Sequence, residues 1–141
     1  MLTYNKITKN EAIKTYIIRA DESLGALRFT EHSFAHVTHV AETAGYILKT
    51  LGHDDRTIEF AKIAGYLHDI GNLVNRKDHA QSGAVMAWSI LNDMGCDAAE
   101  VATIVTAIGE SATINWTDFL RAYTINPYEE RNFNYVREKT T

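Results

Sequence analysis

The chain has 141 residues, 45% of them hydrophobic and 23% charged, which is enough for one globular domain with a real core. A net charge of −4 removes nucleic acid as a default partner and gives no pull toward anionic membranes. The single cysteine, Cys96, excludes an internal disulfide and a thiol metal cluster, and one proline with eight glycines favours long helices over many-turned β structure.

Met1 to Gly25 is polar and charged with no apolar signal-like run, and no stretch approaches a membrane span. The expected home is a reducing cytoplasm. A first helix is expected from Asn10 to Leu24. A second, opened by Thr30, runs to about Leu51, with Val37, Val40, Ala41, Ala44, Ile47, Leu48 and Leu51 forming its apolar stripe. Gly52-His53-Asp54 reads as a surface turn, with Asp54 or Asp55 capping a third helix that ends at His68-Asp69. Asn72 to Asp78 reads as a polar loop carrying Arg76 and Lys77. A fourth helix follows from about Asp78 to Met94. Asp97-Ala98-Ala99-Glu100 has the form of a capping box and opens a fifth helix ending near Gly109. A short helix is expected around Trp116 to Tyr123, and Asn126-Pro127-Tyr128-Glu129 marks another helix start. The whole reads as an all-α, single-domain bundle of about six helices spanning residues 1–141.

His68-Asp69-Ile70-Gly71 is the most informative stretch. It joins a nitrogen ligand to a carboxylate at the end of an amphipathic helix. His68 falls within the apolar arc of Ala61 and Ala64, and Asp69 lies about 100° further round. Asp69 stands at the negative end of the helix dipole, where a lone carboxylate is disfavoured and a bound cation would resolve the conflict. Gly71 is the residue type expected just past a helix end.

Six histidines occur. On the second helix His36 lies about 100° from the centre of the apolar stripe, beside Ile47, so it can point into a core-side pocket. His39, about 160° away, belongs on the surface. His32 is intermediate. His79 opens the fourth helix, on the face continued by Gly83, Met86, Ala87, Ile90 and Met94. A short loop can return it to the His-Asp pair. Spacing alone leaves two readings open: a metal ligand set of three histidines and one aspartate, or satisfied polar residues in a helical bundle.

His36, His68-Asp69-Ile70-Gly71 and His79-Ala80-Gln81-Ser82-Gly83-Ala84 resemble the HD superfamily of metal-dependent phosphohydrolases. The resemblance runs from about Thr30 to Gly109 and is most specific at Gly65-Tyr66-Leu67-His68-Asp69-Ile70-Gly71-Asn72. It implies His36, with His32 as the rival, together with His68 and Asp69 as ligands of a divalent ion (Mn, Fe, Co, Ni, Zn or Mg), one or two per chain. Asp69 would bridge if there are two. His79 would serve a second metal or the phosphate, and Asp69 would also orient the attacking hydroxide. Arg76 and Lys77 would neutralise substrate phosphate. In a bacterial subgroup of the superfamily, a His-Asp and a final aspartate ligand follow the Ala-Ile-Gly segment. Here Ala107-Ile108-Gly109-Glu110 runs directly into Ser111, as if residues 110–141 were shortened, and Asp118 or Glu110 is left as the last carboxylate.

The implied function is metal-dependent hydrolysis of a phosphate ester of a small molecule, such as a nucleotide, through a metal-activated water. The alternative is a degenerate HD domain that binds metal or a phosphorylated ligand with little turnover, as a sensor or interaction module. A third reading is a metal-free helical interaction domain using Trp88, Trp116 and the tail from Tyr128 to Tyr135. Homodimerisation is expected if the shortening exposes apolar surface.

Overall fold

The computed structural model describes residues 1–23 and 30–110, apart from a few side chains at the edges of the gap. Among the described residues the fold is all-α, with six α-helices, one 3-10 turn and no strand. Helices are α1 (Tyr4–Thr8), α2 (Glu11–Ser23), α3 (Thr30–Thr50), α4 (Asp55–Leu67), α5 (His79–Asp93) and α6 (Ala98–Glu110), with the 3-10 turn (Ile70–Leu73) between α4 and α5. The helices expected around Trp116 and from Asn126 lie outside the described residues.

The expected helices α2 to α6 form for local reasons. The Asn10 side chain accepts from the Ile13 amide at 3.0 Å and starts α2. Asp54 accepts from the Thr57 amide at 2.7 Å and starts α4, which is the cap that its position after Gly52-His53 suggested. Asp97 performs half of the expected capping box, accepting from the Ala99 and Glu100 amides. Glu100 does not reach back. Its carboxylate binds the Arg56 guanidinium, which also donates to the Leu2 carbonyl at 2.5 Å. That arrangement ties the N-terminal segment, α4 and α6 together. α1 has only five residues, too few for a periodic signal, and is capped by Thr3.

α3 and α4 form the most extensive helix pair, followed by α5 on α6. The predicted stripe of α3 supplies Val37, Ala41, Ala44 and Leu48 to the core. Val37 and Ala41 join Ile63, Ala64 and Leu67 of α4, Ala84, Ala87 and Leu91 of α5, and Val101, Ile104 and Ile108 of α6 in one cluster. Ile7, Ile13 and Ile17 close the core from the N-terminal side. Each buried Val, Leu or Ile side chain among them stabilises the fold by about 1.5–3 kcal/mol relative to exposure.

Two glycines let backbones touch. Gly65 of α4 faces the backbone of Ala41, where a Cβ would lie 3.0 Å from the Ala41 Cα. Gly71 sits against the first turn of α5, where a Cβ would collide with the His79 carbonyl and the Gly83 amide nitrogen. Gly71 is not the left-handed residue that ends a helix: α4 ends at Leu67, and positive φ among the described glycines belongs to Gly52 and Gly95. Close approach of two backbones, rather than helix termination, requires glycine here.

Gly71→Ala is therefore expected to destabilise the protein by about 3 kcal/mol, because backbone atoms cannot move aside as a flexible side chain can. Gly109→Ala would meet only the Ala84 Cβ at 3.7 Å. It should gain a fraction of the roughly 1 kcal/mol by which Ala exceeds Gly in helices. Thermal unfolding of the two variants beside the parent protein checks the opposite signs.

Candidate metal centre

The α3–α4 crossing at Ala41 and Gly65 brings His36 and His68 together, with ring centroids 5.2 Å apart. Just beyond the end of α4 the chain turns at Asp69, and the contact at Gly71 brings His79 back to it. Asp69 is the centre of the cluster. Its Oδ2 lies 3.2 Å from His36 Nε2 and 3.2 Å from His68 Nε2, and its Oδ1 lies 3.4 Å from His79 Nε2.

The other ring nitrogens explain these orientations. His68 Nδ1 lies 2.6 Å from the Gly65 carbonyl and His79 Nδ1 lies 3.0 Å from the Arg76 carbonyl. A carbonyl only accepts, so each Nδ1 carries the proton and donates it. Nε2 of both rings is thereby aimed at Asp69. An imidazole nitrogen facing a carboxylate oxygen at this range needs a positive centre, which is either a proton on the ring or a cation held by both groups. His36, His68 and Asp69 each offer a ligand atom, all within 4.8 Å of one another. Donors about 2.1 Å from one ion and at right angles lie about 3 Å apart, close to the 3.2 Å observed. The residues fit a divalent cation, and the donor set of imidazole and carboxylate suits the transition metals and, less well, Mg.

Burial works against ionisation of Asp69, but hydrogen bonds from His36 and His68, with their charge, outweigh it and hold its carboxyl well below the usual carboxylate range. The hydrogen bond to Asp69 raises the His36 imidazole, against the opposing effect of partial burial. The site is open on one side: the His68 side chain is 5% exposed and that of His36 52%.

The remaining predicted residues fall as follows. Arg76 is exposed on the loop before α5, and its guanidinium donates to the Asn72 side-chain oxygen at 3.3 Å. Lys77 is exposed on the same loop. His39 is exposed on α3, as its helical position required. The His32 side chain and Asp118 lie outside the described residues. Glu110 is not in the cluster. It lines a groove of about 570 Å³ between α3, α4 and α6, beside Ala44, Leu48, Phe60 and Ala107. Asn72, read from sequence as the start of a polar loop, is instead buried in the 3-10 turn. Its adjacency to the His-Asp-Ile-Gly stretch was the one signal that could have singled it out.

Among the described residues no helix is long and apolar enough to cross a membrane. No solved structure matches the chain significantly. An uncharacterised protein of Methanocaldococcus jannaschii, MJ1020, is 26% identical over 108 residues, covering 66% of this chain and 42% of the relative. The chain thus spans less than half the length of that relative. The family model for the HD domain matches residues 33–131, a span that takes in every residue of the cluster from His36 to His79. This chain belongs to the HD-domain family.

Proposed function

We propose that the protein is a metal-dependent phosphohydrolase acting on a phosphate ester of a small molecule, such as a nucleotide. The observation that carries this reading is a single carboxylate, Asp69, whose two oxygens face three imidazole Nε2 atoms. His36, His68 and Asp69 Oδ2 would hold one divalent ion. His79 and Asp69 Oδ1 would hold a second, making Asp69 the bridge. When bound, such ions lower the pKa of a coordinated water and polarise a phosphoryl oxygen.

The chain's own residues do the rest. The Gly65 and Arg76 carbonyls fix the His68 and His79 tautomers, so no ring has to turn or lose its outer proton on binding. Asp69 stays ionised and can accept a hydrogen bond that orients an attacking water. The exposed Arg76 guanidinium, held by the neutral Asn72 oxygen, offers charge and donors to a substrate phosphate. The net charge of −4 makes a small phosphorylated molecule a better partner than nucleic acid.

Elemental analysis should find divalent metal in the purified protein and none in Asp69→Ala. A panel of small phosphate esters and nucleotides assayed with Mn²⁺ should find turnover that falls in Asp69→Ala by more than the roughly 100-fold that loss of an outer hydrogen-bond partner causes. Metal retained by the parent protein with no turnover of any ester would favour the degenerate binding module. Absence of metal after supplementation would sink both.

The metal-free protein should show a defined pH signature. His36 is raised in the folded state, so its contribution is complete below about pH 6.5 and is lost as pH rises through its folded value. Asp69 is lowered, so its contribution is present above about pH 4 and is lost only as pH falls well below that. The melting temperature of chelator-treated protein should therefore decline from about pH 6.5 upward, and Asp69→Asn should flatten that decline. Saturating Mn²⁺ should reverse the slope over the same range, because the imidazoles bind metal in their neutral form.

A further inference from the structure

The segment from Asp69 to His79 closes a ring of contacts. The Asn72 side-chain Nδ2 donates to the Asp69 carbonyl at 3.0 Å. The Arg76 guanidinium donates to Asn72 Oδ1 at 3.3 Å, and His79 Nδ1 donates to the Arg76 carbonyl at 3.0 Å. His79 Nε2 then returns to Asp69 Oδ1 at 3.4 Å. The ring reaches only one oxygen of Asp69. The other, Oδ2, is engaged by His36 and His68 from α3 and the end of α4.

Asn72 is the one side chain in this ring that both donates and accepts, and it is buried, with 4% exposure. Its donor arm adds a second hydrogen bond to the Asp69 carbonyl, which also accepts from the Asn72 amide at 3.1 Å. Its acceptor arm fixes Arg76, whose backbone carbonyl sets the His79 ring. A carboxylate in its place could only accept. An aliphatic side chain of the same size would do neither and would leave the Asp69 carbonyl and the guanidinium without these bonds.

We propose that Asn72 is a positioning residue for the second of the two cation positions: through Arg76 it holds His79 on Asp69 Oδ1, and its loss weakens that position more than the His36–His68–Asp69 position. This rests on the two-cation reading of the site given above. It assigns the buried amide a role that neither an ordinary loop residue nor a helix cap would have.

The test is Mn²⁺ titration by calorimetry on the full chain, with Asn72→Leu, His79→Ala and the double variant beside the parent, and with melting temperatures recorded for each. The parent should bind two Mn²⁺. Asn72→Leu should keep the tighter site and weaken the other by about 10–100-fold, the usual effect of losing an outer hydrogen-bond partner of a ligand. His79→Ala should lose the same site, and the double variant should bind no more weakly than His79→Ala alone, because the two residues act on one position. Two ions bound with unchanged affinities in Asn72→Leu would overturn the assignment alone. Equal weakening of both sites would also overturn it, since it would mean that Asn72 supports the fold generally. A single Mn²⁺ in the parent would overturn the two-cation reading and this assignment with it.

Discussion

The contact of Gly71 with the first turn of α5 is the constraint on which the site depends. A helix ending at Leu67 and another starting at His79 could leave their ends far apart. They do not, because the 3-10 turn lays its backbone directly against His79 and Gly83, with no side chain between. Gly65 makes the equivalent approach on the other side of the His-Asp pair, against Ala41 of α3. The apolar core supplies the energy for this packing, and the two glycines set its distances. Both contacts flank His68 and Asp69, so the ligand-bearing turn is held from two sides by backbone, the least adjustable element of the chain.

Electrostatics then shape what that geometry can hold. Asp69 lies at the carbonyl end of α4, where the helix dipole disfavours a carboxylate. Three imidazoles converge on it all the same, two of them held by hydrogen bonds to backbone carbonyls. The cluster is unequal in its exposure, with His68 sealed in the core and His36 open to solvent. The cluster opens to solvent on the side of His36, and His68 forms its buried floor.

Much of this was readable from the chain, for a definite reason. The stripe of α3 and the end of α4 follow helical periodicity, which is local, so the facing of His36 and the surface position of His39 came from angles alone. The His-Asp pair stood out against His53-Asp54 because one closes an amphipathic run and the other follows a turn glycine. What escaped was set by tertiary contact. Asn72 looks polar and loop-like in sequence, and its burial follows only from the packing of the 3-10 turn. Glu100 occupies the last position of a good capping box, yet Arg56, 44 residues away, takes its carboxylate. Gly71 was the right residue with the wrong reason: its local pattern suggests a helix stop, and its use is a close approach that no local pattern records.

The four donors are unevenly distributed along the chain. His68, Asp69 and His79 belong to one continuous stretch, whereas His36 joins them only when α3 is docked on α4. An unfolded chain keeps the nearby groups within reach of an ion but loses the fourth. A cation held by His36, His68 and Asp69 would therefore discriminate between native and denatured chains chiefly through His36. Its stabilisation grows with free ion concentration, reaching about 2.7 kcal/mol at one hundred times the dissociation constant if the unfolded chain does not compete. Residual binding by the stretch from His68 to His79 would subtract from that figure, so the seating of one helix on another would be the step at which a bound cation began to favour folding.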